Sequence, residues 1–111
     1  MPKLSRKNTD LSKIAERYGI FECVKAAKAM KKNHQKGQII KLVFPLSRNG
    51  YVGCDRFENP ISENGVHMGY LYDGIVRCNV YPEGLPYEQW INSFYDTWGR
   101  RGMVVPNLRD R

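Results

Sequence analysis

The first third of the chain alternates apolar and polar residues with the spacing of amphipathic helices. One short helix is predicted to begin at Thr9 or Asp10, either of which can cap it, and to reach about Tyr18. A second helix is predicted over about residues 21–36, with small apolar residues on its inner side and lysines on its outer side. A glycine follows each segment and stops it. Cys23 therefore lies in the first turn of the second helix, on or near its buried face.

From residue 38 onwards the pattern changes to that of β-strands. The predicted strands cover residues 38–44, 51–54, 66–72, 75–80 and 103–105. Asp73-Gly74, between the third and fourth strands, is the strongest hairpin signal in the sequence. Pro86 can open a third helix that reaches about Tyr95. Because helices come first and strands follow, the predicted class is α+β, with N-terminal helices packed on a small antiparallel sheet and a further helix after the hairpin.

The bulk composition is typical of one globular domain over residues 1–111. The chain has 41% hydrophobic and 26% charged residues, and its 111 residues suffice for one modest core. Residues 1–8 are expected to form a flexible basic arm, and residues 106–111 a loose tail. No apolar run reaches the length of a membrane span, and the N-terminus lacks the apolar centre of a signal peptide. We therefore expect a soluble protein without a membrane partner, whose export needs a signal or carrier outside this sequence.

The positive charge of the chain is concentrated in its first third. The net charge is +7, and residues 1–37 carry ten lysines and arginines against three acidic residues, whereas residues 38–111 carry eight of each sign. A basic face of this kind is typical of proteins that bind nucleic acid, a membrane surface or an acidic protein. A solvated helix face that binds nothing explains the same pattern.

The three cysteines, Cys23, Cys54 and Cys78, do not make a disulfide framework and lack the short spacing of a zinc site. Reduced thiols without a metal or cofactor are therefore expected. Cys23 is the candidate for chemistry, because unpaired N–H groups at a helix N-terminus lower the pKa of a thiol and can hold an oxyanion.

A histidine close to Cys23 would complete its activation, and the chain contains two. His34 lies eleven residues further along the same helix. That separation is roughly 16 Å of helical rise, so His34 is expected to be a surface residue. His67 begins a strand directly after Asn64-Gly65, where a side chain can be displayed at a sheet edge. His67 is therefore the candidate partner.

Several motifs follow one another in a characteristic order. Cys23 precedes an alanine-rich helix, which is followed by a basic aliphatic strand, by Ser-Glu-Asn-Gly-Val-His at residues 62–67, and by Cys-Asn-Val-Tyr-Pro-Glu-Gly-Leu-Pro-Tyr-Glu-Gln-Trp-Ile at residues 78–91. Over about residues 21–94 this order resembles the papain-fold toxins of bacterial polymorphic toxin systems. The resemblance is greatest to the papain fold toxin 2 family.

The resemblance implies a papain-like fold in which Cys23 is the nucleophile, His67 the general base and later acid, and Asn79 the third member of a triad. It implies a cysteine hydrolase that acts as an antibacterial toxin on peptide or side-chain amides, as a peptidase or a deamidase. It also implies delivery from a larger or associated secreted system, action in the cytoplasm of a target cell, and a neutralising immunity protein. The charge of this chain predicts that the immunity protein is acidic.

The third member of the triad depends on the register of the hairpin. In a simple two-residue Asp73-Gly74 turn, His67 shares its sheet face with Cys78, whose thiol is a poor acceptor for an imidazole N–H. A bulge of one residue would bring Asn79 onto that face instead. We prefer Asn79 and keep Cys78 as the alternative.

Two other functions fit the sequence. An RNA-directed toxin (a ribonuclease) on the same scaffold would use the basic first third for phosphate contacts and His67 as acid or base, without any need for Cys23. A non-catalytic binding module would dock an acidic partner on the basic face, with Cys78 standing where a third catalytic residue is expected.

Overall fold

A five-stranded antiparallel sheet lies between two layers of helices and loops in the computed structural model, which describes residues 6–106. In chain order the elements are α1 (Arg6–Ala15), α2 (Cys23–Asn33), β1 (Gln38–Val43), β2 (Gly53–Cys54), β3 (Val66–Tyr72), β4 (Ile75–Arg77), β5 (Leu85–Pro86), α3 (Tyr87–Asn92), β6 (Phe94–Tyr95) and β7 (Met103–Pro106). The sheet has the order β5-β4-β3-β1-β7, and β2 and β6 form a separate two-stranded ribbon. The predicted α+β class with an antiparallel sheet is confirmed.

The two N-terminal helices cover one face of the sheet. In α2 the side chains of Ala26, Ala27 and Met30 recur on one side and are fully buried, as the period of an amphipathic helix predicts. They pack with residues of α1, with Ile39 of β1 and with Tyr70 of β3. Because two of the three side chains are alanines, α2 lies close to the sheet, and its first residue reaches the backbone of β3.

The opposite face of the sheet carries the larger core. Ile40 and Leu42 lie on the other side of β1 from Ile39. They pack there with Trp90 of α3, with residues of β6 and with residues of the long loop between β1 and β3 (residues 44–65). Gly69 in the middle of β3 is needed for this packing, because a Cβ atom there would lie 2.7 Å from the Trp90 ring. Trp90 therefore approaches the sheet at the position where β3 has no side chain.

The hairpin between β3 and β4 has the simple two-residue turn predicted for Asp73-Gly74. The paired residues are Tyr72 with Ile75, Leu71 with Val76 and Tyr70 with Arg77, and the register contains no bulge. Asp73 and Gly74 both have a positive φ, 56° and 78°, as the favoured turn of a tight hairpin requires. Pairing ends at Arg77, so β4 is shorter than the predicted strand 75–80, and the following residues leave the edge of β3.

Several predicted helix boundaries are wrong. α1 begins at Arg6, inside the predicted arm, so the expected caps at positions 9 and 10 lie within the helix. α2 ends at Asn33 rather than at residue 36, because the backbone of the next residue is extended. α3 ends at Asn92, and Tyr95 belongs to β6, where it pairs with β2. Residues 1–5 of the predicted arm and 107–111 of the predicted tail lie outside the described residues.

The strand predicted at residues 51–54 also differs from its observed form. Only Gly53 and Cys54 are in β2, and they pair with β6 rather than with the main sheet. Val52 makes an isolated bridge to Ser62, which closes the long loop on itself.

No helix between residues 6 and 106 is long and apolar enough to cross a membrane.

Candidate active site

Cys23 is the first residue of α2 and is 5% exposed. Glu22 precedes the helix but does not cap it with its side chain. The Glu22 carboxylate instead accepts a hydrogen bond from the N–H of Gly19 (2.8 Å) and pairs with Lys25 (3.6 Å). The first-turn N–H groups therefore receive no side-chain acceptor from the cap position and can face an anion beside Cys23.

Burial raises the pKa of the Cys23 thiol above its ordinary value. Backbone hydrogen bonds with Met68, with Val24 and with Cys23 itself lower that pKa, but burial is the larger effect. The lowering of the thiol pKa expected at a helix N-terminus is therefore present, but the effect of burial outweighs it. The protonated thiol is the main form at neutral pH, so a base must remove its proton before the sulfur can attack a carbonyl.

A cavity of about 250 Å³ opens beside Cys23. It is lined by Phe21, Cys23, Val24, Ser62, Glu63 and Asn64. One wall is the start of α2, and the other is the loop that leads into β3. Hydrogen bonds fix this loop, because the N–H of Val66 donates to Asn64 Oδ1 (3.2 Å) and the Ser62 hydroxyl donates to the Val66 carbonyl (2.7 Å). Although Cys23 is buried, it therefore borders open space with a defined shape.

His67 lies on the opposite face of β3 from α2, inside the larger core. Its ring centroid is 4.3 Å from that of Phe94 and 5.7 Å from that of Trp90, and the residue is 0% exposed. Neither ring nitrogen has a hydrogen-bond partner within residues 6–106. Burial lowers the pKa of His67 to about 3, so the imidazole is neutral at physiological pH.

Cys23 contacts β3, the strand that contains His67, but the two side chains are not joined by a hydrogen bond. The Cys23 thiol bonds with the backbone of Met68, the residue that follows His67 in β3. The imidazole of His67 packs against aromatic rings, and both of its nitrogens are unpaired across the part of the chain that the structure describes. In this conformation the Cys23 thiol contacts the residue next to His67, but no hydrogen bond joins the two side chains.

Cys78 follows the end of β4 and lies on the same side of the sheet as His67, because both contact Trp90. Its sulfur accepts hydrogen bonds from Trp90 Nε1 (3.3 Å) and from the N–H of Tyr81 (3.4 Å). The pKa of Cys78 is raised to about 11, mainly by burial and to a smaller extent by the nearby Cys23. Cys78 is therefore a buried, protonated thiol whose bonds go to Trp90 and Tyr81.

Asn79 makes no hydrogen bond to His67. Its Nδ2 donates to the carbonyl of Gly19 (2.8 Å) and so ties the turn before α2 to the loop after β4. Its Oδ1 is buried and without a partner in the described part of the chain. The bulge that would have turned Asn79 towards His67 is absent from the paired residues 70–77. Neither candidate for the third position bonds to the imidazole here.

His34 was expected at the surface, and that expectation is wrong. The residue is 8% exposed, and its Nδ1 lies 2.8 Å from the hydroxyl of Tyr70. The Tyr70 hydroxyl also donates to the His34 carbonyl and accepts the N–H of Gly37 (2.7 Å). The sequence distance between His34 and Cys23 indicated only that the two residues do not touch, and it gave no information about burial.

Two features of the site could not be read from the motifs. Phe21 and Glu63 line the cavity, and neither was proposed as a site residue, although Glu63 lies within the motif of residues 62–67. The signal available in the sequence for Phe21 was an apolar residue in a turn between helices, where polar residues are typical.

Arg56 holds the loop that carries Cys78 and Asn79. Its guanidinium donates to the Val80 carbonyl (2.7 Å) and lies 4.6 Å from the Tyr81 ring centroid.

Metal ligands are not grouped in the described part of the chain. Among residues 6–106 there is no set of three or more histidine, cysteine or acidic side chains placed to hold a metal ion. The candidate site therefore consists of one thiol, one imidazole, one amide and the N–H groups that surround the thiol.

Comparison with known proteins agrees with the resemblance seen in the motifs. A family model, papain fold toxin 2, matches residues 6–95, most of the 111-residue chain. The class of this protein is therefore a toxin with a papain-like fold. The chain belongs to the papain fold toxin 2 family, and the match extends the resemblance over α1. Neither a curated protein nor a solved structure matches the chain.

Proposed function

We propose that this protein is a cysteine hydrolase toxin that cleaves a peptide or side-chain amide with Cys23 as its nucleophile. The observation that carries the proposal is the position of Cys23 at the uncapped start of α2, on the wall of a cavity of about 250 Å³. Membership of the papain fold toxin 2 family supports it. The site of action would be the cytoplasm of a target cell, reached through a larger or associated secreted system.

The proposed reaction has two steps. His67 takes the proton of the Cys23 thiol while the sulfur attacks the amide carbonyl, and first-turn N–H groups of α2 stabilise the oxyanion. The carbon–nitrogen bond then breaks, and the protonated imidazole returns its proton to the departing nitrogen, which leaves as an amine or as ammonia. Water, deprotonated by the same imidazole, hydrolyses the thioester, releases the carboxylate and restores the thiol.

The proposed reaction requires His67 to leave its aromatic surroundings and to approach Cys23. Such a movement breaks no hydrogen bond of the imidazole within the described residues, because both nitrogens are unpaired. A buried unpaired polar group is unfavourable by about 1–3 kcal/mol, so a partner gained at the thiol favours the movement. The unpaired Oδ1 of Asn79 is the acceptor we propose for the other imidazole nitrogen. Cys78 is the alternative third residue.

The cavity favours an amide substrate over RNA. Glu63 is the one acidic side chain among its described lining residues, and none of them is basic. A carboxylate there repels phosphate, whereas Phe21 and Val24 offer apolar contact to a peptide. The ribonuclease alternative therefore has less support than the hydrolase.

The test is toxicity in bacterial cells that produce the protein from an inducible promoter. Cys23→Ala and His67→Ala are each expected to abolish growth inhibition, because one removes the nucleophile and the other the base. Cys54→Ala is the matched control, since Cys54 is equally buried but lies in β2. Wild-type toxicity of Cys23→Ala, with RNA degradation in the same cells, would support the ribonuclease instead.

A second test measures the chemistry of the thiol directly. Cys23 should react with iodoacetamide before Cys54 and Cys78, because it alone of the three lines the cavity beside α2. Its rate should still rise with pH above neutrality, because burial raises the pKa of its thiol. Peptide mass spectrometry of the alkylated protein gives the three rates. Alkylation of Cys78 at the rate of Cys23 would contradict the proposed nucleophile.

A further inference from the structure

Phe21 adopts a conformation and an environment that are both unfavourable for its side chain. It is 55% exposed, and its backbone φ is 73°, in the left-handed region that glycine tolerates and bulky residues rarely adopt. An exposed aromatic ring does not contribute the free energy that its burial would give to folding, and the positive φ adds backbone strain. Folding alone would favour glycine at this position.

The turn that contains Phe21 is held by bonds that do not involve its side chain. The N–H of Glu22 donates to the carbonyl of Gly19 (3.1 Å), and the Glu22 carboxylate accepts the N–H of Gly19 (2.8 Å). The same Gly19 carbonyl accepts Nδ2 of Asn79 (2.8 Å). These bonds impose the positive φ on whichever residue occupies position 21. The phenyl ring is therefore not what holds the turn.

The ring of Phe21 contributes to the cavity beside Cys23. Phe21 and Val24 make an apolar side of this cavity, and Glu63 on the facing loop is exposed and carries a negative charge. A ligand that fits both sides has an apolar group next to a positively charged or hydrogen-bond-donating group. In a chain with a net charge of +7, an acidic residue at this position selects against anionic ligands.

We infer that Phe21 is the residue that selects the substrate, an inference that rests on the proposed hydrolase function. The substrate is a polypeptide in which a large apolar side chain, adjacent to the scissile amide, packs on the Phe21 ring. A lysine or arginine of the same polypeptide pairs with Glu63. Phe21 touches the substrate and takes no part in the proton transfers.

The experiment digests a peptide library derived from a bacterial proteome with the purified protein. Mass spectrometry detects new termini and deamidated side chains, so that both peptidase and deamidase products are seen. Wild-type products should be enriched in large apolar residues next to the reaction site and in nearby basic residues. Phe21→Gly should lower kcat/KM for the best such peptide by about tenfold, which corresponds to the loss of one apolar contact. The same substitution should raise the Tm, because it relieves the strained φ.

Two variants serve as matched controls. Asn49→Gly places a glycine at another positive φ, 58°, at a position that does not line the cavity, and it should leave kcat/KM unchanged. Ile20→Ala removes the neighbouring exposed apolar side chain, 43% exposed, which also lies outside the cavity lining. Glu63→Gln should reduce the preference for basic residues without changing the preference for apolar ones.

The outcomes separate this inference from the function on which it rests. If the wild type yields no products beyond those of Cys23→Ala, the hydrolase proposal is wrong. If the wild type yields products and Phe21→Gly yields them at the same rate and with the same preference, the role of Phe21 is wrong and the hydrolase stands.

A readout without turnover uses alkylation of Cys23. N-benzyl iodoacetamide should react faster than iodoacetamide with the wild type, and Phe21→Gly should remove most of that difference. Equal selectivity in both proteins would overturn the inference.

Discussion

The two candidate catalytic side chains are both held uncharged by burial. Burial raises the pKa of the Cys23 thiol, and it lowers the pKa of His67 to about 3. The pair is therefore a thiol and a neutral imidazole in this conformation, not a thiolate and an imidazolium. Proton transfer in the proposed reaction must then accompany substrate binding, because no ion pair is formed beforehand.

The buried His67 predicts that the protein is destabilised by acid. The unfolded chain protonates this histidine near its ordinary pKa of 6.5, whereas the folded protein does so only near a pKa of about 3. Stability therefore falls as the pH drops through this window, by about 1.4 kcal/mol per unit of pH. Between about pH 7.5 and 4.5, we expect His67 to account for about 2.7 kcal/mol of lost unfolding free energy.

The comparison variant for this prediction is His67→Phe, which keeps an aromatic ring in the core and cannot titrate. Urea unfolding, followed by the fluorescence of the buried Trp90, gives the unfolding free energy of both proteins at each pH. His34 is present in both proteins, so its contribution cancels. An equal loss of stability in the wild type and in the variant would show that His67 is not responsible.

At the scale of elements, Tyr70 connects the end of α2 to the sheet. It is 0% exposed in β3, and its hydroxyl bonds to the carbonyl of His34 and to the N–H of Gly37. These contacts explain why α2 stops at Asn33, because the chain turns towards Tyr70 to make them. The end of the helix is thus set by a residue far away in the sequence.

Tyr70→Phe tests this connection. The variant leaves the His34 carbonyl and the Gly37 N–H without their partner, so we expect a loss of about 1–3 kcal/mol in unfolding free energy. Tyr72→Phe is the matched control on the same face of β3, where the ring lies 4.3 Å from the ring of His34. Its expected effect is within about 0.5 kcal/mol. Urea unfolding measures both, and equal losses would contradict the role given to the Tyr70 hydroxyl.

At the scale of the whole molecule, charge is separated from the candidate site. Lys25, Lys28 and Lys32 are exposed on α2, as is Lys36 just beyond the helix. The cavity beside Cys23 has an acidic residue and no basic one among its described lining residues. The molecule therefore offers two different surfaces, a basic helix face and a neutral-to-acidic cavity.

We propose that the neutralising partner of this toxin is an acidic protein that covers the cavity or clamps the basic face of α2. If it binds the basic face, association should slow as salt increases, because exposed charges are screened. The double variant Lys28→Glu and Lys32→Glu should lower the association rate measured by surface plasmon resonance. Lys41→Glu is the control, because it makes the same lysine-to-glutamate replacement in β1, away from α2. A complex that is insensitive to salt and contacts neither surface would contradict the proposal.

Local sequence patterns were sufficient for much of the fold. The apolar period of residues 21–36 located α2 and its buried face, and Asp73-Gly74 located the hairpin, because each depends on neighbouring residues alone. The motifs of residues 62–67 and 78–91 identified the family for the same reason. Helix ends were less predictable. α2 ends at Asn33 because the residues that follow it turn away to form hydrogen bonds with Tyr70.

The candidate site depended on contacts that no local pattern contains. The sequence by itself determined that Cys23 lies in the first turn of a helix and that His67 lies in a strand. Only the tertiary structure decided that Trp90 and Phe94 enclose His67, that Asn79 bonds to Gly19, and that burial outweighs the helix N-terminus at Cys23. The physical reason is that burial sets the pKa values and the partners, and burial is decided by residues distant in sequence.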